Sequence, residues 1–450
     1  MDNLYKIKRG LDLHLKGVAA TVCRKAPASQ VYALMPDDFH GITPRVVVKE
    51  GDKVKAGDAL FVDKATERIK CCSPVSGTVK AVVRGDRRKV LRIEVESDGQ
   101  HEHSVLLDKG RAPSRQEEVL QLLLDSGLFA MFRQRPYDVV PSPTELPKAI
   151  FISAFSKMPL AADFGFVVKG QEEDFKAGVG LLTRIAKVHL GICPEEINTP
   201  ILPIEGVQVS VFAGPNPAGN VGVQINHVDP INKGEVVWTL GAEVAVMLGR
   251  LLRKGYVEFT RRIAVAGSQV KEPGYCEVIL GAPLKDVFAN QLERTEHVRL
   301  INGNPLVGKK ASIDGWLSAM VTEVCAIPEG DDVDEMFGWI APRLNDYSTS
   351  RSYFSWLLGK NKAYDLDCRV KGGERHMIMS GEYDRVFPMD IYAGYLIKAI
   401  IAGDIDRQEQ LGIYEVAPED FAVAEFVDSS KLELQRIVRE GLDLLRKENA

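Results

Sequence analysis

Between Gly127 and Tyr137 the chain reads GLFAMFRQRPY, with two phenylalanines and a tyrosine interleaved with two arginines around a proline. Aromatic faces beside guanidinium donors are what it takes to hold a flat apolar head group that carries polar oxygens. Phe129, Phe132, Arg133, Arg135 and Tyr137 are therefore the candidate ligand-contacting residues. The same pattern also suits a helix end packed on its neighbour, because Pro136 ends any helix that reaches it.

Other stretches imitate known chemistry and fall short of it. GNPLVGK at 303–309 mimics a phosphate loop, GxxxxGK. Lys310 stands where a Ser or Thr would ligate magnesium, and Pro305 interrupts the amide cradle, so the stretch reads as a surface turn. FAGPNPAG at 212–219 follows a strand, the place where open α/β sheets put ligands. Its two prolines make a rigid turn poorly suited to wrapping a pyrophosphate. Gly178-Val179-Gly180 falls inside a predicted helix and lacks the third glycine of a dinucleotide fingerprint. His101-Glu102-His103 offers two imidazoles with no further Cys or His nearby, which reads as solvent exposure rather than a metal site. The seven cysteines (23, 71, 72, 193, 276, 325, 368) contain no CxxC pair, so neither a zinc site nor a cysteine-ligated iron–sulfur cluster has its usual motif. Scattered cysteines fit a reducing cytoplasm.

The elements that must position these residues begin with 44–96, punctuated by turns at Gly51-Asp52, Gly57-Asp58, Ser76-Gly77 and Gly85-Asp86. Short β-branched segments lie between them, and Leu91, Ile93 and Val95 alternate with charged residues as in a half-buried strand. The stretch resembles the barrel-sandwich hybrid of lipoyl and biotinyl carrier domains. Asp63-Lys64-Ala65 matches the carriers' modified-lysine motif, but Lys64 follows Leu60 too closely for a protruding tip, so the unit reads as a structural module. The basic hairpin of Arg84, Arg87, Arg88 and Lys89 either faces anionic lipid or an acidic partner, or is a solvated turn.

Residues 1–43 read as a β-rich lead-in, with two short strands around Gly10. Ser114 and Glu117 form a predicted capping box for a helix with Val119, Leu120 and Leu122 to Leu124 on its apolar face. Strands at 148–155, 188–192, 207–212 and 235–240 alternate with helices at 171–187 and 242–254, which implies an α/β layer with a mostly parallel sheet. Residues 261–308 resemble a β-grasp of the soluble-ligand-binding kind. The C-terminal part mixes strands and helices. Its aromatic runs at 337–339 and 353–358, which carry Trp339 and Trp356, read mainly as core, as does Trp316. A helix at 392–402 follows, and the last helix is predicted to be capped by Ser430 and Glu433.

The 450 residues suffice for about three domains. The expected division is a sandwich with its lead-in at 1–100, an α/β domain at 114–256, a β-grasp at 257–310 and a mixed α/β region at 311–450. The overall class is thus multidomain α/β and α+β. At 26% charged, 45% hydrophobic and a net charge of −5, the chain is an ordinary globular one without the basic excess of a nucleic-acid binder. The N-terminal stretch has no apolar core of a signal peptide, and no apolar run reaches the ~18 residues of a membrane span. Work at a membrane would mean sitting on something that spans it.

The order of sandwich, α/β layer and β-grasp resembles the NADH-binding flavoprotein subunit of respiratory complex I and the peripheral clustered-cysteine subunit of the Rnf complex. Particular segments are closer to another family. IKRGLDL (7–13), DSGLFAMFRQRP (125–136), GPNPAG (214–219), FGW (337–339), SRSYFS (350–355), GEYDRVFPMDI (381–391) and AGD (402–404) resemble the A-subunit family of the sodium-translocating NADH:quinone reductases. The flavin subunit's glycine-rich loop and the Rnf subunit's ferredoxin-type cysteine runs have no counterpart here.

The resemblance implies a peripheral subunit on the cytoplasmic face of the bacterial inner membrane, working with five others and docked on the membrane subunit with which it shares quinone interaction. It implies a respiratory pump that oxidises NADH, reduces quinone and exports sodium. FAD, FMN, riboflavin and iron centres would lie on other subunits, with no cofactor, metal or catalytic residue in this chain. The five residues at 129–137 are then the quinone-proximal candidates. Two other classes compete: a lipoyl- or biotinyl-type carrier modified at Lys64, and a soluble flavin- or nucleotide-binding oxidoreductase.

Overall fold

The computed structural model describes residues 3–108, 112–334, 340, 342–349, 351, 353–359, 362–379 and 381–449. The FGW segment, together with Ser350 and Ser352 of SRSYFS, lies outside the described residues.

The turn-punctuated stretch folds as two facing sheets. One pairs Val31–Leu34, Val90–Ser97, Gly77–Arg84 and Lys53–Val54; the other pairs Pro44–Val46, Ala59–Asp63 and Lys70–Cys72. Alternating Ile93 and Val95 point inward to meet Tyr32, Leu60, Phe61 and Val79. Lys64 is exposed at the turn after Ala59–Asp63. Asp63 pins that turn by accepting from the amides of Thr43 (2.9 Å) and Thr66 (2.8 Å).

The α/β layer is a six-stranded sheet. From one edge its strands are Leu4–Lys6, Val207–Ala213, Lys187–Ile192, Ala149–Ser153, Val237–Gly241 and Arg133–Arg135, all parallel but the last. Ala149–Ser153 is followed in the chain by its neighbour on one side, Lys187–Ile192, while Val237–Gly241 returns to its other side. The strand order reverses there. Helices Glu172–Leu182 and Ala242–Lys254 pack together on one face, with an approach only glycine allows: a Cβ on Gly178 would lie 1.9 Å from the Ala245 carbonyl oxygen, and one on Gly249 1.7 Å from that of Asp174. Gly178 therefore serves helix packing.

The lead-in is divided, and only its end, Val31–Leu34, pairs with the sandwich. Leu4–Lys6 extends the α/β sheet, Cys23–Lys25 joins a third sheet, and no strand forms around Gly10. The helix after the sandwich starts one residue later than expected: Arg115 is its N-cap and Glu118 accepts from the Arg115 amide at 3.3 Å.

In the third sheet the strands run Lys309–Ala311, Val298–Asn302, Glu323–Pro328, Thr260–Ala266, Gly274–Ile279 and Cys23–Lys25. Its central strand, Glu323–Pro328, is parallel to Thr260–Ala266 and comes from the part of the chain read as the mixed C-terminal region. After it, the described elements are all helical. Helices Ala393–Ile401, Ala422–Val427 and Leu434–Glu448 form a second core with Val221–Val228 and the sheet, packing Leu396, Phe421, Val438 and Leu442 against Phe151 and Phe212. The last helix has Glu433 as N-cap, whereas Ser430 instead accepts from the Ile378 amide at 2.9 Å. The aromatic run at 353–358 is not core. It forms a short 3-10 turn, Phe354–Leu358, whose apolar side chains face solvent apart from the buried Ser355, and Trp316 is half-buried.

Candidate functional site

A cleft of about 1000 Å³ opens where the strand order reverses. Open α/β sheets bind ligands at this position because adjacent connections leave on opposite faces and part there. Ser153, Gly219, Asn220 and Gly241 form its floor at the carboxyl ends of the strands. The third sheet supplies the facing wall through Asn302, Asn304, Thr322 and Glu323, and the sandwich adds Met35 and Asp38. Pro418, Glu419 and Arg439 close the C-terminal side.

Four methionines line this space, Met35, Met131, Met158 and Met320, together with Trp316, Leu240 and Val321. Thioether sulfurs make soft, adaptable contacts with flat rings. The polar lining is largely committed to the protein itself. Glu323 accepts from Asn304 Nδ2 (3.0 Å), Thr322 Oγ1 (2.6 Å) and the Ala162 amide (3.2 Å). Asp38 accepts from Ser318 Oγ (2.6 Å) and the Ala319 amide (2.8 Å), while burial raises its carboxyl above the ordinary aspartate value. Thr239 and Lys309 also line the cleft, and their side chains have no hydrogen-bond partner among the described residues.

The five residues singled out by sequence are divided by the structure. Arg133 and Arg135 lie on the cleft wall. Arg133 donates to the carbonyls of Phe132 (3.0 Å), Ala130 (3.3 Å) and Asp38 (2.7 Å). Arg135 is buried and donates to Asp420 Oδ2 (2.7 Å), the Glu415 carbonyl (2.8 Å) and Glu419 Oε1 (3.2 Å). Burial works against its charge, but Asp420 and Glu419 outweigh that and hold the guanidinium above the usual arginine value. Burial and the neighbouring Asp420 raise Glu419 in turn.

Phe129 and Phe132 stand behind the wall, fully buried, with both rings edge-on to Trp238 at centroid distances of 5.3 and 6.0 Å. Tyr137 faces the last helix: its hydroxyl accepts from Asn449 Nδ2 (3.2 Å) and its carbonyl from Arg439.

Other motifs also find their places. The turn at 303–309 is part of the cleft wall rather than a plain surface turn, because Asn304 is buried and accepts from the amides of Leu306 (3.0 Å) and Val307 (3.2 Å). GPNPAG packs under IKRGLDL: Asp12 accepts from the Asn216 amide (2.9 Å) and the Leu11 amide donates to the Asn216 carbonyl (2.7 Å). Gly10 donates to the Arg385 carbonyl (3.2 Å), so the GEYDRVF segment meets them at the same place. His103 is half-buried, bonded to the Val257 carbonyl and stacked on Tyr256 at 4.1 Å, rather than solvated. Burial pushes the Cys72 thiol up to about 12, as befits a packing residue.

Sequence reasoning missed the methionines, Thr239, Glu323 and Asp420. No local pattern marks Met35, Met158, Met320, Thr239 or Glu323, because they reach the cleft from positions far apart in the chain, and Asp420 stands behind Arg135.

A barrel-sandwich hybrid fused to an α/β sheet, with a methionine-lined cleft at the strand-order reversal, defines a multidomain α/β protein with a large cleft between its sheets. Three family models match it in order: the NqrA N-terminal barrel-sandwich hybrid domain over residues 5–98, the NqrA second alpha/beta domain over 114–257 and the NQRA C-terminal domain over 262–312. The A subunit of the Na(+)-translocating NADH-quinone reductase of Photorhabdus laumondii is 35% identical over 451 residues, covering 99% of this chain and 100% of the relative. Its counterparts in Neisseria meningitidis and Rhodopirellula baltica are each 34% identical over 449 residues, covering 99% and 98% of this chain and 100% and 98% of the relative. The chain belongs to the A-subunit family of the Na(+)-translocating NADH-quinone reductases. A crystal structure of NAD+-reducing [NiFe]-hydrogenase in the H2-reduced state aligns over 48% of each chain with a TM-score of 0.36 and 14% identity, too distant to bear on function.

Proposed function

We propose that this chain is the cofactor-free A subunit of a sodium pump that oxidises NADH and reduces quinone, working beside five other subunits at the cytoplasmic face of the bacterial inner membrane. Full-length similarity to relatives carrying that name supports the assignment. No helix among the described residues is long and apolar enough to cross a membrane, so attachment falls to partner subunits that span it.

Within that role the cleft receives the quinone head group. The observation that carries this reading is the wall of four methionines and Trp316 around a space of about 1000 Å³. Such a wall suits a flat apolar ring, and a few donors suit its carbonyls. Arg133 and Arg135 are quinone-proximal as wall residues whose terminal Nη nitrogens are already engaged. Thr239 Oγ1 and Lys309 Nζ are donors left for a ligand. Phe129 and Phe132 act from behind by fixing Trp238, and Tyr137 by anchoring Arg439, which itself lines the cleft.

Affinity isolation of the tagged chain from native membranes tests the assignment. The other subunits and NADH:quinone activity are expected to accompany it. A chain that circulates free of membranes, or that oxidises NADH unaided, would overturn it.

A further inference from the structure

The exposed turn Phe354–Leu358 is not an isolated loop tip. The Phe354 amide donates to the Pro342 carbonyl (3.2 Å) and the Tyr353 amide to Ser348 Oγ (3.2 Å), so residues 342–349 lie beside it. Lys362, beyond the turn, donates to the Leu344 carbonyl and to Asn345 Oδ1 (3.2 Å). Six large apolar side chains of this local unit are exposed: Ile340, Leu344, Phe354, Trp356, Leu357 and Leu358. Its base is tied to the body of the molecule. Tyr347 packs on the buried Tyr364 at 5.3 Å and on Phe426 at 5.6 Å. Tyr364 in turn donates its amide to the His14 carbonyl (2.8 Å), and its carbonyl accepts from the Lys16 amide (2.9 Å). Large apolar groups held out on a fixed base mark a contact surface.

Charge decides what that surface meets. From Ile340 to Lys362 the sequence carries four basic residues and a single acid, Asp346. That acid is already neutralised, accepting from Arg343 Nη1 (2.9 Å) and Lys371 Nζ (2.8 Å). The Arg351 guanidinium lies over the Trp356 ring, 5.3 Å from its centroid. Neither Arg351 nor Lys362 has a carboxylate partner among the described residues. The stretch therefore keeps an uncompensated positive charge beside its indole, phenyl and leucine side chains.

Aromatic and aliphatic groups flanked by basic ones have the composition that settles at a bilayer surface. The rings and leucines enter the boundary between headgroups and acyl chains, while guanidinium and ammonium groups stay at the headgroups. Anionic lipid strengthens that attachment through the cations. We propose that this unit is a direct contact with an anionic phospholipid surface, a second foothold on the membrane beside the partner subunits. It goes beyond the pump assignment, because no other subunit is needed for it.

The test is flotation of the purified full-length chain with two kinds of vesicle: equal parts phosphatidylglycerol and phosphatidylcholine, and phosphatidylcholine alone. The unmodified chain is expected to float with the anionic vesicles and to bind the neutral ones at least ~10-fold more weakly, since each basic residue at an anionic surface strengthens binding several-fold. Trp356→Ser combined with Leu357→Ser is expected to weaken binding to the anionic vesicles at least ~10-fold, because the buried apolar area is lost. Arg351→Glu is expected to weaken it several-fold by reversing a charge. Leu358→Ser stands in should circular dichroism show that the double variant does not fold. An unmodified chain that does not float, or floats equally with both vesicles, would overturn the proposal, as would folded variants that float as well as the unmodified chain. Variants that lose the partner subunits on affinity isolation, from a chain that binds no vesicles, would assign the surface to a protein instead. Flotation involves no partner subunit, so this reading and the pump assignment can each fall alone.

Discussion

Two aromatic-rich stretches of this molecule have opposite fates. In the one ending at Tyr137, Phe129 and Phe132 are completely buried against Trp238, and an arginine between them and the proline is sealed in by Asp420. In the other, Phe354, Trp356, Leu357 and Leu358 are 55%, 45%, 63% and 54% exposed on a short turn, with the Arg351 guanidinium 5.3 Å from the Trp356 ring centroid. The difference does not lie in their own side chains, since both mix aromatics with nearby cations. The first stretch has partners elsewhere in the chain, an indole to pack on and a carboxylate 285 residues away to neutralise its charge. A charged residue can enter a core only when such a partner comes with it.

That contrast can be broken most directly at the buried pair. Arg135→Ala leaves Asp420 unpaired in the interior and is expected to destabilise the chain by about 3–5 kcal/mol, read by denaturant unfolding. Phe132→Ala opens a cavity beside Trp238 and is expected to cost about 3–5 kcal/mol by the same measurement. Near-wild-type stability in both would show that the first stretch is not core.

A pH series sharpens the comparison on the buried side. His189 is a buried residue of the strand Lys187–Ile192, stacked on Phe151 at 4.5 Å with neither ring nitrogen hydrogen-bonded among the described residues, and burial pushes it down to about 4, with Lys187 adding to the shift. A histidine with a depressed folded-state value binds fewer protons folded than unfolded. Stability is therefore lost as pH falls from about 6.5 towards 4, by at most about 3 kcal/mol. His189→Phe is expected to flatten this acid loss in a melting-temperature series, and an unchanged profile would show that the imidazole does not carry it. On the exposed side the expected effect is the smallest. Trp356→Ser should shift stability by no more than about 0.5 kcal/mol. A multi-kcal loss there would mean that the turn is packed after all.

Much of the α/β layer is legible because its strands are short apolar runs and its helices are amphipathic, and the Ala242–Lys254 helix falls at its expected bounds. The strand Glu323–Pro328 has no such signature, since six residues without alternation look like any short buried run until the sheet closes around them. The run at 353–358 reads as core in the sequence because apolar composition cannot reveal that a tight 3-10 turn turns its side chains outward. Arg133 and Arg135, singled out in the sequence, lie on the cleft wall. The sequence cannot reveal that their Nη nitrogens bond to Asp38, Glu415, Glu419 and Asp420, nor that methionines from positions 35, 131, 158 and 320 converge on the same space. Those facts belong to tertiary packing, which carries no local periodicity.

The central claim is that the methionine-lined cleft takes the quinone ring. A photoreactive quinone activated in the assembled, turning-over complex and mapped by peptide mass spectrometry tests it most directly. Adducts are predicted on the peptides carrying Met131, Met158 or Met320, suppressed by excess unlabelled quinone. Competition-sensitive adducts that fall only on other subunits, or only on the exposed Phe354–Leu358 turn, would contradict it.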